Sequence, residues 1–420
     1  MMRRKRTFGL AAMAGAVATL VSACGGGGGG TSGGGSSPTV SVDIQGASWV
    51  AFQDGASGNW TTLAPNSGFS GTVPSNAPDG RYSLAFVCPG QKPTVQVVHA
   101  TRQELPQLNF TCSAATPTIV TVSGTVSGLN GGTALISIGD TPTTSSGNYE
   151  LQIVPGTYDV IAVRFAGSVP NRVWLQRNRQ FSTNTTYTID FEQADGTVVR
   201  VFDVSNGTLT VSGLDTQANE TATARVLLQS GSRTSVVGIA SALNNMTSIS
   251  YPLFPSGVLD AAELFQVRVD TSEQRGVVQI ASALPNSLTI SLPPVYGNPT
   301  LSVNNTGAIQ FSVQDFSYTE APVVGYQLSA QASSGARYSY FITRGWLGST
   351  NAYTTPMLET VSGWNSAWSL QRGESADVAL GVYVSPSGAT PQALWSYLQG
   401  GSPPSGFTLR YATRRQTLNL

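Results

Sequence analysis

Gly147-Asn148-Tyr149-Glu150-Leu151-Gln152-Ile153-Val154-Pro155-Gly156-Thr157-Tyr158-Asp159-Val160 is the stretch that decides the fold. Tyr149, Leu151 and Ile153 recur at every second position and share one face of an extended strand, as do Tyr158, Val160 and Ala162 after them. Pro155-Gly156 supplies the fixed φ and the permissive residue that a tight reversal needs. The segment reads as strand, turn, strand, and the same alternation recurs on both sides of it.

Upstream, Val40, Val42 and Ile44 alternate, followed by Trp49-Val50-Ala51-Phe52 and Tyr82-Ser83-Leu84-Ala85-Phe86-Val87-Cys88, with turn signals at Asp54-Gly55 and Asp79-Gly80. Downstream, β-rich runs cover Val198 to Val204, Ala224 to Leu228, Leu264 to Val269, Val277 to Ala281 and Leu288 to Leu292. Further runs occupy Ile309 to Val313, Val323 to Ala330, Tyr338 to Thr343 and Val378 to Val384. Helical periodicity is confined to Thr390-Pro391 through Gly400, which carries the signature of a capped short helix and is placed across one end of the last sandwich. At 420 residues the chain exceeds a single ordinary core. The fold class expected is all-β: tandem small β-sandwich domains at 38–114, 115–195, 196–296 and 297–420, behind a leader (1–23) and a Gly/Ser-rich tether (24–37).

The leader has a cationic run (Arg3, Arg4, Lys5, Arg6), an apolar stretch from about Phe8 to Leu20, and Val21-Ser22-Ala23-Cys24. This is the order of a secretory signal, and the apolar part falls short of the ~20 residues that cross a bilayer. Val21-Ser22-Ala23-Cys24 resembles the bacterial lipobox. The resemblance implies cleavage before Cys24, diacylglycerol on its sulfur and acylation of its new amino group, with Val21 standing where Leu is commonest. Gly25, in place of an inner-membrane Asp, implies an outer-membrane destination. The membrane is then a partner through the N-terminal lipid. Residues 25–37, almost all Gly and Ser, cannot bury enough apolar surface to order, and would hold the first domain roughly 20 Å from the lipid.

With Cys24 lipidated, Cys88 and Cys112 are the remaining thiols, and an exported setting favours a disulfide between them. Closing that loop of about 25 residues contributes on the order of 3 kcal/mol in the chain-entropy model. Val122-Ser123-Gly124-Thr125-Val126, followed by Gly147-Asn148-Tyr149-Glu150-Leu151 and Pro155-Gly156-Thr157-Tyr158-Asp159-Val160, resembles the carboxypeptidase regulatory-like, transthyretin-like domain. That family is an accessory sandwich, so the resemblance implies a fold for about 116–193 and no activity.

Charge and motifs narrow the function. Lys+Arg and Asp+Glu are equal at 22, and losing the four leader cations leaves 18 against 22, a net charge of −4 with Lys92 as the single lysine. Nucleic acid is an unsuitable partner for such a surface. Gly30-Thr31-Ser32-Gly33-Gly34 fits a nucleophile elbow in form, but it lies in the tether with no strand before it or helix after it. The sole histidine, His99, shares a strand face with Val95 and Val97 and is read as a structural residue rather than a base. One His and a disulfide pair leave no metal ligand set, so no metal or cofactor is expected. Asp190 and Glu192 share a strand face, where a glycosidase pair is possible in principle, and are read as a solvated face.

The C-terminal domain carries Trp346, Trp364, Trp368 and Trp395. Trp364 and Trp368, in a turn-rich stretch, are the least core-like and are read as a possible exposed ligand platform. The reading that follows is a non-enzymatic, lipid-anchored envelope protein with structural or interaction modules. A polysaccharide or another envelope polymer bound by the C-terminal aromatics is the alternative. Replacing Cys24 with Ser is expected to leave an unprocessed precursor that takes up no labelled fatty acid; unchanged labelling would reject the anchor.

Overall fold

The computed structural model describes residues 38–112, 117–193, 198–215, 217–243 and 247–420. Cys24, the leader and the tether lie outside the described residues. The chain is all-β, built of tandem sandwich-like modules.

The first module contains β1 (Thr39–Gln45), β2 (Trp49–Asp54), β3 (Trp60–Ala64), β4 (Phe69–Pro74), β5 (Arg81–Cys88), β6 (Thr94–Thr101) and β7 (Gln107–Thr111). One sheet is β4-β1-β7 and the facing strands run β3-β2-β5-β6, with β1 and β7 parallel. Cys88 at the end of β5 and Cys112 just past β7 are disulfide-bonded, with Cα atoms 5.2 Å apart, which clips one sheet to the other. Gly46, at φ +70°, lies against the Cys112 carbonyl; a Cβ there would stand 3.0 Å from that oxygen.

The second module contains β8 (Val120–Ser127), β9 (Thr133–Ile138), β10 (Thr141–Ser145), β11 (Asn148–Ile153), β12 (Gly156–Ala166), β13 (Val169–Phe181), β14 (Thr185–Thr186), β15 (Ile189–Asp190) and β16 (Val199–Asp203). Its sheets are β10-β9-β12-β13-β16 and β11-β8-β14, with β15 also pairing β8. Tyr149, Leu151 and Ile153 are buried while Asn148, Glu150 and Gln152 are exposed, as the period of two requires. Because β16 pairs with β13, residues from 198 that the sequence assigns to the third module complete the second module's sheet instead.

The third module contains β17 (Ser205–Ser212), β18 (Ala222–Ser230), β19 (Arg233–Leu243), β20 (Thr247–Leu253), β21 (Glu263–Thr271), β22 (Arg275–Ala281) and β23 (Ser287–Ser291). The order β20-β17-β23 against β19-β18-β21-β22, with β17 and β23 parallel, repeats the first module strand for strand. The fourth contains β24 (Thr300–Asn304), β25 (Gln310–Gln314), β26 (Val323–Ala332), β27 (Arg337–Thr343), α1 (Arg344–Leu347), β28 (Ala352–Thr354), β29 (Ser375–Val384), α2 (Pro391–Leu398) and β30 (Thr408–Asn419).

The modules are not beads on a string. Among the described residues a single 12-stranded sheet runs β19-β18-β21-β22-β30-β29-β26-β27-β6-β5-β2-β3 through the third, fourth and first modules. Its two joints are antiparallel β22–β30 and parallel β27–β6, the latter in register from Arg337↔Thr94 to Ile342↔His99. The second module docks on this body by its β9, β12 and β13 face, where Leu135, Ile161, Val163, Val173 and Leu175 join one core with the third module's strands. That contact is why β12 is buried on both faces from Asp159 to Arg164.

Helix α2 departs from the sequence reading. Thr390 caps it through its hydroxyl as anticipated, but the helix does not lie across one end of the sandwich. Its Leu394 and Trp395 are buried in the core that also holds Phe341, Tyr383 and Phe407. The Trp395 indole donates to the Asn109 carbonyl at 3.3 Å, so the helix wedges between the fourth module and β7. Burying Trp395 in two modules at once favours this position over a solvated end.

A buried ion pair sits within the third module, anchored on the strand that pairs with the fourth. Arg275, on β22, is bidentate to Glu220, with its Nε 2.8 Å from Oε1 and a second, shorter contact from Nη2 to Oε2. It also donates to the carbonyls of Gly213, at 2.7 Å, and Pro293. Burial alone would push the Glu220 carboxyl up, but hydrogen bonds from Arg275 and the Asp215 backbone outweigh it and hold its pKa below the ordinary value. Arg275→Leu is expected to destabilise the full chain by about 3–5 kcal/mol in denaturant unfolding, because it strands a buried carboxylate. Arg275→Leu with Glu220→Leu should recover most of that loss; equal loss in both variants would show that packing rather than charge governs the site.

Candidate functional site

Trp364 and Trp368 lie in a loop that α1 and β28 lead into and β29 closes. Both are half-buried and pack on the core shared by the first and fourth modules. Their rings stand 5.3 Å apart at 88° to each other, and the fully buried Trp49 of β2 meets Trp364 edge-on at 5.3 Å. The Trp49 indole donates to the Ser362 carbonyl at 3.1 Å, Trp364 donates to the Ser369 hydroxyl at 3.0 Å, and the Tyr338 hydroxyl donates to the Trp368 carbonyl at 2.6 Å. Gly363, at φ +79°, brings this loop against the Trp49 ring. The expectation of an exposed platform is therefore corrected: perpendicular, hydrogen-bonded rings offer no common flat face, and they staple the fourth module onto the first.

The cleft with the strongest chemical character lies elsewhere along the same seam. It is an open cleft of about 340 Å³ between the β2–β3 hairpin of the first module and the β25, β28 and 355–360 segments of the fourth. Trp60, Trp346 and the half-exposed Met357 form its apolar walls; Gln53, Gln310 and Tyr353 contribute polar groups. Gln53 and Gln310 are held by their amide nitrogens, which donate to the carbonyls of Gly58 and Thr355, each at 2.6 Å.

His99 forms the floor. Its Nδ1 lies 2.7 Å from the Ser83 hydroxyl and its Nε2 2.8 Å from the Tyr353 hydroxyl, and its ring packs against Trp346 at 4.3 Å with a 37° tilt. A neutral imidazole donates through one nitrogen and accepts through the other, so both hydroxyls are satisfied. Ser, His and Tyr are thus brought together, a constellation the sequence reading did not assemble. It is not a hydrolytic site, since Ser83 is fully buried and closed to any substrate. Burial pushes the His99 pKa down to about 3, and burial likewise raises that of Tyr353 well above the phenol range.

The other sequence candidates are structural. Asp190 accepts from the Glu192 backbone N–H at 3.0 Å, and the exposed Glu192 pairs with the buried Arg164 of β12 at 3.1 Å. Among the described residues no group of His, Cys, Asp and Glu is arranged to hold a metal, and no helix is long and apolar enough to cross a membrane. Trp60, Gln53, Gln310 and Tyr353 escaped the sequence reading because their convergence depends on how two distant modules dock.

No protein-family model matches the chain. No curated relative matches it either. Among solved structures, the FN1-FN3 domains of chicken CNTN1 align at 10% identity over 81% of this chain and 95% of that one, with a TM-score of 0.17. A Ca2+-stabilized adhesin that helps an Antarctic bacterium reach out and bind ice aligns at 12% identity over 89% of each chain, with a TM-score of 0.14. Superpositions this loose carry no argument about function.

The depressed His99 pKa has a signed consequence. The unfolded chain takes up a proton near pH 6.5 that the folded chain refuses until about pH 3. Stability is therefore fully present above pH ~6.5 and falls as the pH drops toward 3, by up to about 1.4 kcal/mol per unit for this group. His99→Gln is expected to be less stable at pH 7 and to lose that part of the slope between pH 6 and 4, read by urea unfolding. An unchanged slope would mean that His99 is not held neutral.

Proposed function

We propose that this chain is a non-enzymatic envelope lipoprotein, anchored through Cys24, whose sandwich modules form one rigid interaction body. The observation that supports the reading best is the 12-stranded sheet shared by three modules. Continuous backbone pairing and shared cores remove the hinges that free tandem domains would have, which suits a part that holds a fixed surface away from a membrane. The second module, by its resemblance to the carboxypeptidase regulatory-like sandwich, is read as an accessory unit in that body. By its resemblance to the lipobox, with Gly25 after Cys24, the anchor is read as an outer-membrane one.

Complementation tests the reading. A strain lacking the chain is expected to show increased leakage of periplasmic protein and increased detergent sensitivity. Both should be restored by the wild-type chain and by Asp190→Asn at matched folded levels, and not by Cys24→Ser. Failure of a folded Asp190→Asn protein would contradict the non-enzymatic reading, and full rescue by Cys24→Ser would contradict the anchored one.

A further inference from the structure

The cleft over His99 combines features that point to a ligand. It is lined by two half-buried tryptophans, two amide side chains and threonine hydroxyls, and its lining contains no carboxylate, lysine or arginine. Its sole ionisable base, His99, is kept uncharged by burial. A charged ligand would find nothing there to neutralise it, and a purely apolar one would leave the amide carbonyl oxygens without a donor. A neutral sugar has what such walls recognise: apolar C–H faces that lie against indole rings, and hydroxyls that exchange hydrogen bonds with amides. A volume of about 340 Å³ is at the small end of ligand sites, enough for a short segment rather than a long chain.

The walls are also held in place before any ligand arrives. Gln53 and Gln310 each have their amide nitrogen tied to a backbone carbonyl, which fixes the orientation of the remaining carbonyl oxygen. Trp346 is pinned by its tilted ring contact with His99, and His99 by Ser83 and Tyr353. Ordering costs that would weaken binding have therefore been met in folding. Both modules contribute walls, Gln53 and Trp60 from the first, Gln310, Trp346 and Tyr353 from the fourth, so the site exists only when β27 and β6 are paired.

We propose that this seam cleft binds a neutral oligosaccharide segment of one or two residues, with Trp60 and Trp346 against the sugar faces and Gln53 and Gln310 on its hydroxyls. The proposal rests on the non-enzymatic interaction reading, and moves sugar recognition from Trp364 and Trp368 to the seam.

The test is titration of the detergent-solubilised full chain with cellotetraose, maltotetraose, mannotetraose and chitotetraose. Tryptophan fluorescence and saturation-transfer NMR are followed, and each mixture is then examined for cleavage. At least one neutral oligosaccharide is expected to bind saturably and be recovered intact. Trp60→Ala should weaken that binding at least tenfold. Ala56→Trp, at an exposed rim position that leaves the core untouched, should do the same by filling the mouth even if Trp60→Ala folds poorly. Trp368→Ala should bind normally. Binding by none of the four, or binding unaffected by Ala56→Trp, overturns the cleft. Intact binding lost only in Trp368→Ala also overturns it, while leaving the interaction reading standing. Saturable binding followed by cleavage would keep the cleft and overturn the non-enzymatic reading.

Discussion

The open edge of a β-sheet is the constraint on which the rest of this structure depends. A strand at an edge presents unpaired N–H and C=O groups, and a sandwich leaves several such strands. Here β6, β22, β27 and β30 would each be an edge in an isolated module, and they are paired with one another across module boundaries. Satisfying those groups is what turns separate sandwiches into a continuous sheet, and everything else at the seams follows from that pairing.

Pairing at the edges forces the sheet faces to be shared as well. In β5 every residue from Tyr82 to Cys88 is buried: Leu84 and Phe86 face the first module's own core, and Ala85 and Val87 face the core of the fourth. Several polar groups caught in these seams have partners across them, although the buried Trp346 indole N–H has none among the described residues. Glu104 accepts from the Thr343 hydroxyl and the Gly345 N–H across the boundary, at 2.5 and 2.7 Å, while Arg177 pairs with Glu263 between the second and third modules at 2.6 Å. Each contact also fixes register, since a slip would leave a buried charge unpartnered.

The order of the modules in space differs from their order in the chain. The fourth module lies between the third and the first, so the parallel β27–β6 joint links residues more than two hundred positions apart. Module one therefore reaches its final state only after the C-terminal strands exist. The repeated topology of modules one and three, together with the antiparallel β24 that flanks β25 in the fourth, shows how the same sandwich plan is edited where an additional partner must dock.

Much of the local structure was legible in the residues themselves. Alternation at Tyr149, Leu151 and Ile153, the turn at Pro155-Gly156, the cap at Thr390 and the Cys88–Cys112 bridge are short-range features, because strand period, turn chemistry and thiol count act over a few residues or through composition. Continuous apolar runs such as Trp49 to Phe52 signalled strands without saying that both faces would be covered. What lay on the second face was decided only in three dimensions. Period-two patterning names the buried side of a strand, but the sheet edge that meets another edge, and the ring that meets another ring, are fixed by backbone hydrogen bonding and packing between segments hundreds of residues apart. That is why Trp364 and Trp368 read as a surface and fold as a staple, and why Trp60, Trp346 and His99, far apart in the chain, converge on one cleft.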